Sequence, residues 1–531
     1  MIDLGNIAPL MLPWAEDAWG DWRPPVSVEA AQLSAELAGA TYSMDIAPWL
    51  RAGWRDATIQ VDGELTPVRP QEGWLARQIH RHRVQGKLHQ RGMLDQVLGT
   101  LRQVEQSDTG KALVMAHPAP EGRWVIAISF MGTGARFYDW ISNFRMTSEE
   151  GVHRGFWQLT KQFEGNEERI TFPETARELG LERLTLRDVL REMQYPGSRF
   201  LLWLSGHSQG GALMQVYAHR KMHGDKVLGR HIVGYGFASP TVMMGTAVDR
   251  PAAYPLYHIQ NGDDVVPRCG AQVHLGVCLT YPSDDAMRRR CYPWPEDEPS
   301  VRARAYVGPI LRRMTDTATC IESAVACLNV LSRSPAAEIC QVLGLSGGFP
   351  IGRIVAAADV EGLLQSAQRH AAMAYQSVTG KPLDRARVAD FMVDIDEAVT
   401  AVGLRAFGTA LRQMMGAPHT IAPRLPGGCI GPYRYIVNEG MERLIPTCWL
   451  AGTPPTRVLG VRRSAQARVG ETERPDVLLV RRHGKASRRA HRGLRYHDPR
   501  PRTDTRHHTP ELVRGAMLAG EKLFREKERK T

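Results

Sequence analysis

One stretch limits this chain more than any other: Arg199–Met214, RFLLWLSGHSQGGALM. Phe200 to Leu204 is an almost unbroken apolar run, the pattern of a strand buried on both faces. It stops at Ser205-Gly206-His207-Ser208-Gln209-Gly210-Gly211, and Ala212, Leu213, Val216, Tyr217 and Arg220 then recur at helical spacing. Strand, sharp turn and helix form the setting in which a G-x-S-x-G turn lifts a serine hydroxyl clear of a sheet. Side chains at Gly206 and Gly210 would crowd such a turn. The helix that follows aims its first amides, beginning with Gln209 N–H, at any oxyanion formed beside Ser208.

The surrounding chain supplies a sheet for this turn. Thr58–Val61 and Ala112–His117 read as short strands, with a helix over Gly92–Val104 between them. Arg123–Met131 reads as a buried strand ending in Gly132-Thr133-Gly134. His231–Phe237 and Tyr254–Gln260 are further apolar runs, the second ending in Asn261-Gly262-Asp263-Asp264-Val265-Val266-Pro267. Helical patterns fall at Val26–Ala38, Ala135–Phe144, Gly151–Phe163 and Leu184–Met193. Strands alternating with helices, each strand ending in a Gly- or Asp-rich loop, predict a doubly wound α/β sheet with its site at the carboxyl ends of the strands. Beyond Cys269 the pattern turns helical. Val301–Leu345 reads as two helices broken near Ser334-Pro335, followed by helices over Val360–Val378 and Arg385–Met415. Gly427–Cys448 is irregular, and a last helix is expected at Pro510–Lys527.

The net charge of +11 over 531 residues misleads as a global figure. Residues 451–531 hold 21 Lys+Arg against 9 Asp+Glu, which leaves 46 against 47 for the rest. The basic character belongs to the tail. Such a tail is ordinarily a solvated extension. With few aromatics for base stacking, an anionic membrane surface is its expected partner and nucleic acid is not. The N-terminal MIDLGNIAPLMLPWAEDAW lacks a basic leader followed by an apolar core, and no run approaches ~18 apolar residues. The sequence therefore predicts a cytoplasmic protein without a signal peptide or membrane span. All eight cysteines lie beyond the Ser208 turn without a C-x-x-C pair. They are expected as free thiols, with no metal and no cofactor.

Several loops together resemble one family, the class 3 lipases of the α/β-hydrolase group. The matching pieces are Phe130-Met131-Gly132-Thr133 with Asp139-Trp140 and Asn143; Val152-His153-Arg154-Gly155-Phe156; Gly206-His207-Ser208-Gln209-Gly210-Gly211-Ala212; Phe237-Ala238-Ser239-Pro240; and Asp264-Val265-Val266-Pro267. They occur in the family's order across roughly residues 110–270. Met131 stands where the family usually has arginine. The resemblance implies an α/β-hydrolase sheet and a serine carboxylester hydrolase acting on acyl lipids. Small or aryl esters are the alternative substrates, and a non-catalytic scaffold the alternative function.

A serine hydroxyl needs an adjacent base, usually a histidine held by a carboxylate. Ser208 is the expected nucleophile. Asp264 follows at the end of a strand, where the acid belongs, with Asp263 as rival; only Asp264 fits the family's D-x-V-P phrase. The resemblance implies Thr133 as the second oxyanion donor beside Gln209. Histidines after Asp264 include His274, His370 and His419. The resemblance favours His370, because the family's catalytic histidine is followed by a tyrosine at the offset of Tyr375; Met373 stands one place later than the family's apolar residue. His274 matches a non-catalytic His-x-Gly of the family. Helices within Val301–Leu345, and Ala135–Phe144, are expected to cover the site. The expected division is 1–110 as N-terminal extension, 111–380 as hydrolase core with an insertion at 301–345, 381–461 as a helical and irregular region, and 462–531 as basic tail.

Overall fold

A computed structural model describes residues 2–69, 112–132, 148–334, 357–446 and 461–462, apart from breaks at 13–14, 17–21, 24, 44, 62–63, 423–424 and 426–428. The expected helices at Gly92–Val104, Ala135–Phe144 and Pro510–Lys527 lie outside the described residues, as do Thr133 and the basic tail from residue 463. Within the described part, eight strands form one sheet. They are β1 (Arg55–Asp56), β2 (Ala112–Pro118), β3 (Trp124–Phe130), β4 (Phe200–His207), β5 (Ile232–Phe237), β6 (Leu256–Asn261), β7 (Val277–Tyr281) and β8 (Ile445–Pro446). Their order across the sheet is their order in the chain. β3 to β7 run parallel, and antiparallel pairs close both edges. Thr58–Val61 is a strand as expected, but it joins a separate small sheet with Glu64–Pro67 and Ile170–Thr171.

Every residue of β4 is buried, so both faces need cover. Phe200, Leu202 and Leu204 pack in one cluster with Phe156 and Phe163 of α2 (Arg154–Glu164) and Leu213, Val216 and Tyr217 of α3 (Gln209–His223). Leu201 and Trp203 point the other way, as alternation along a strand requires. There they meet Ala30, Leu33 and Leu37 of α1 (Val28–Ser43), in a cluster that also holds Tyr433, Ile436 and Val437. The second face is thus closed by α1 and the segment 433–437, while the crossover helices α2 and α3 lie on the first.

A second core lies over the loop that follows β6. α4 (Glu298–Arg313), α5 (Thr317–Leu331), α6 (Ala357–Thr379), α7 (Arg385–Val402) and α8 (Leu404–His419) pack around Ile310, Ile321, Tyr375, Phe391 and Phe407, together with Val265 and Cys269 of that loop. α4 and α5 are divided at 314–316, and α5 ends at Leu331, just before the expected break near Ser334; residues 335–345 lie outside the described part. Asp316 accepts from Thr319 N and starts α5 with a reciprocal capping box. The expected single helix over Arg385–Met415 is two. Gly403 at φ 81° divides α7 from α8, a conformation open to glycine. The new helix then runs on to His419.

Backbone approaches closely to backbone below the serine turn. A Cβ at Gly206 would overlap Gly210, and one at Gly210 would overlap the Phe130 carbonyl oxygen, backbone against backbone. Gly210→Ala should therefore cost about 3 kcal/mol or more, the upper end of overpacking. Gly197→Ala has nothing within 4 Å to meet and should be near neutral. Urea unfolding of both variants checks this, and equal stability would refute the close approach.

Candidate active site

Ser208 lies between β4 and α3 with φ 58° and ψ −129°. A non-glycine residue rarely adopts this region, and such strain persists only where surrounding bonds impose it. Here Ser208 N–H donates to the Phe237 carbonyl at 2.8 Å, and Gly211 N–H donates to the Ser208 carbonyl at 2.9 Å. Ser208 thus stands at the carboxyl end of β4, buried to 5% exposure. Gln209 is the first residue of α3, the position whose amide is oriented toward the helix N-terminus.

Asp264 follows the end of β6, in a turn closed by its own N–H to the Asn261 carbonyl at 3.0 Å. Its carboxylate is buried and surrounded by donors. Oδ1 accepts from Val266 N–H at 2.9 Å. Oδ2 meets His419 Nδ1 at 2.9 Å and accepts from the Tyr433 hydroxyl at 2.7 Å. Because a carboxylate only accepts, the His419 proton sits on Nδ1 and Nε2 is the basic nitrogen. Tyr433 is fully buried. Burial first, and the neighbouring Asp264 charge second, hold its hydroxyl protonated well above the usual tyrosine range.

Asp263 has a different fate. Its two oxygens take Arg288 Nε and an Nη at 2.9 and 2.8 Å, and Tyr292 donates to it at 3.0 Å. It braces the short helix Asp285–Cys291 against the β6 loop.

The histidine paired with Asp264 is therefore His419, and the expectation for His370 is corrected. His370 lies on the exposed side of α6. The buried stripe of that helix is Ala371, Ala374, Tyr375 and Val378. Five helical residues turn about 140° beyond a full circle, so Tyr375 cannot lie under the His370 ring. Tyr375 instead donates to Glu322 of α5 at 2.9 Å. The tyrosine beside the Asp–His pair is Tyr433. His274 is buried, and its Nε2 bonds the Ser239 carbonyl at 2.8 Å, a structural role.

His419 is the last residue of α8, where carbonyls lack helical partners. Two strand ends supply them. Asn261 Nδ2 donates to the Pro418 carbonyl at 2.8 Å, and His207 Nε2 donates to the His419 carbonyl at 2.6 Å. The His207 and His419 rings lie 4.7 Å apart. The residue next to Ser208 and the residue paired with Asp264 are thus directly joined.

Glu164, Glu167 and Asp225 form the one carboxylate grouping with metal-like spacing among the described residues. Its centre holds the Lys221 ammonium, 3.0 Å from Glu164 and 2.9 Å from Glu167 and also paired with Asp225. The cluster is a buried ion network.

Comparison with known proteins places these residues in context. Residues 127–274 match the family described as lipase (class 3). That span takes in Ser208, Gln209 and Asp264 and ends well before His419. No curated protein matches the chain in sequence. Among solved structures it is similar to a triacylglycerol lipase whose catalytic centre is described as a serine protease triad. Identity is 18%, 33% of this chain and 63% of that one are covered, and the TM-score is 0.24. The triacylglyceride lipase of Rhizomucor miehei gives 20% identity, coverage of 32% and 62%, and a TM-score of 0.24. A lipase from Rhizopus microsporus var. chinensis gives 18%, 33% and 57%, and 0.24. The chain spans about three fifths of the length of these lipases.

Buried histidines give the site a pH signature. Burial lowers His207 well below its ordinary value, helped by the nearby His419, and pushes His258 down to about 3 and His274 to about 4. Each is neutral when folded and takes up a proton near 6.5 once unfolded. Stability is therefore full above about pH 6.5 and is lost as pH falls toward the folded values, by about 1.4 kcal/mol per pH unit for each such group. Chemical unfolding between pH 7 and 4.5 should show this slope. His274→Gln, which keeps a donor, should flatten it by one such increment; an unchanged slope would contradict the assignment.

Proposed function

With a class 3 lipase domain over residues 127–274 as the premise, we propose that the chain is a serine carboxylester hydrolase acting on acyl-lipid esters through Ser208, His419 and Asp264. The observation that carries this reading is the His419–Asp264 pair, tied through His207 to the strained turn that presents Ser208. In the reaction, Ser208 Oγ attacks the ester carbonyl while His419 Nε2 takes its proton. Asp264 keeps the imidazole in the required tautomer and stabilises the imidazolium. The tetrahedral oxyanion faces Gln209 N–H and, by the family pattern, Thr133. Collapse expels the alcohol with the proton from His419 and leaves an acyl-serine. Water, deprotonated by the same imidazole, then releases the carboxylic acid. The residues named carry each step, and the scheme calls on no cofactor.

Tyr433 serves the acid. Its hydrogen bond and that of Val266 satisfy the buried carboxylate beyond the bond to His419. The helices α4 and α5, standing on the loop that carries Asp264, are proposed as the cover of the site. Thr317 of α5 donates to the Arg268 and Ala271 carbonyls at 2.9 and 3.0 Å.

Turnover of a soluble p-nitrophenyl ester tests the assignment. Ser208→Ala and His419→Ala should each lose on the order of 10⁵–10⁶ in kcat, and Asp264→Asn about 10⁴. His370→Ala should keep wild-type turnover. Asp263→Asn should act mainly on stability. An active His419→Ala enzyme, or an inactive His370→Ala enzyme, would overturn the choice of base. Comparing short- and long-chain esters separates a lipid substrate from a small one.

A further inference from the structure

α1 and β4 run side by side in step. Trp203 Nε1 donates to Ser34 Oγ, and Ser205 Oγ donates to the Ser34 carbonyl, both at 2.9 Å. His207 Nδ1 meets the Tyr42 hydroxyl at 2.9 Å. The three strand residues alternate and so face the same side. From 203 to 207 a strand rises ~13 Å, and from 34 to 42 a helix rises ~12 Å. This match brings Tyr42 opposite the residue before Ser208.

The Tyr42 hydroxyl has three neighbours there: His207 Nδ1 at 2.9 Å, the His207 carbonyl at 3.4 Å and the Gly132 backbone. His207 Nε2 donates to the His419 carbonyl, so Nδ1 must accept, and Tyr42 supplies the proton. The Gly132 backbone lies against the Tyr42 oxygen. Gly132 itself lies against the nucleophile: a Cβ there would stand 3.1 Å from the Ser208 Cβ and 2.6 Å from the His207 carbonyl, and would overlap the Tyr42 hydroxyl. One phenol from outside the class 3 lipase span therefore touches the end of β3 and the serine turn, and through His207 it reaches the residue paired with Asp264.

We infer that Tyr42 is a positioning residue of the hydrolytic site. Its hydroxyl sets the tautomer and ring direction of His207, His207 holds the His419 carbonyl, and Gly132 is kept against Ser208. The inference rests on the reading of Ser208 and His419 as nucleophile and base. Tyr42 is assigned no contact with substrate and no proton in flight. Its effect is geometric, and small displacements of a base are costly to rate.

Tyr42→Phe in the full chain tests this, since it removes the hydroxyl and leaves the ring. The other ties of α1 remain: Ser34 to β4, and Glu36 to the buried Arg434. On a soluble p-nitrophenyl ester kcat should fall about 10- to 100-fold with KM within about threefold. The rate of Ser208 labelling by a fluorophosphonate should fall by the same factor. Ser34→Ala is the comparison: it loses the Trp203 bond to Ser34 Oγ and keeps the Ser34 carbonyl bond to Ser205, and should lower the unfolding midpoint while kcat stays. Nitrogen NMR of His207 gives a readout that needs no turnover. At neutral pH the wild type should show protonated Nε2 with Nδ1 as acceptor, and Tyr42→Phe should shift both signals. A Tyr42→Phe protein with unchanged His207 signals and unchanged kcat would overturn the inference. A wild type that neither turns over ester nor labels at Ser208 would instead sink the hydrolase reading, and the His207 signals would still decide the role of Tyr42.

Discussion

The hydrogen bond from His207 Nε2 to the His419 carbonyl is the joint on which the site depends. A helix end leaves carbonyls without partners, and buried carbonyls must find donors. α8 ends over the sheet, so its last carbonyls take Asn261 from the end of β6 and His207 from the end of β4. The same bonds that satisfy the helix terminus set the His419 ring against Asp264. Satisfying the backbone and assembling the constellation are one event here. His207 can play this part only as a neutral imidazole donating from one nitrogen and accepting at the other, and its burial keeps it neutral.

The sheet explains why two distant parts of the chain meet at this joint. The crossover helices α2 and α3 cover one face and leave the other bare. Cover for that face comes from α1 and from the segment around Tyr433–Val437. These two pieces are fastened to each other by the ion pair of Glu36 with the buried Arg434, and Arg434 Nε also donates to the Ile421 carbonyl at 3.2 Å. Removing one partner from such a pair leaves a buried charge uncompensated. The loop that follows His419 is thereby held by the N-terminal helix, and Tyr433 is carried to the Asp264 carboxylate.

Much of this was legible in the sequence, and the limits have physical causes. The Ser208 turn was readable because strand, glycines and helix are contiguous. Asp264 was separable from Asp263 by its place in the D-x-V-P phrase, and the structure gives Asp263 to Arg288. The strand order needed no long-range information, because each parallel strand pairs with its neighbour in sequence. The histidine did not follow, since its place depends on where a helix far along the chain ends. Two local signals pointed there: Gly403, which resets the helix, and Pro418-His419 at the close of an amphipathic stretch. The helical wheel already set His370 and Tyr375 on different sides of α6. The break before α5 was likewise written in Asp316-x-x-Thr319, a capping box. Tyr42 had no local signal, because its role arises from the matched rise of a helix and a strand that are far apart in the chain.

The central claim is that the base reaches Ser208 from the end of α8. A crystal structure of the full chain phosphonylated by a fluorophosphonate tests it most directly. The account predicts phosphorus on Ser208 Oγ, with His419 Nε2 within hydrogen-bond reach of the adduct and Nδ1 still on Asp264. An adduct on Ser208 with any other imidazole beside it, or with Asp264 turned away from His419, would contradict it.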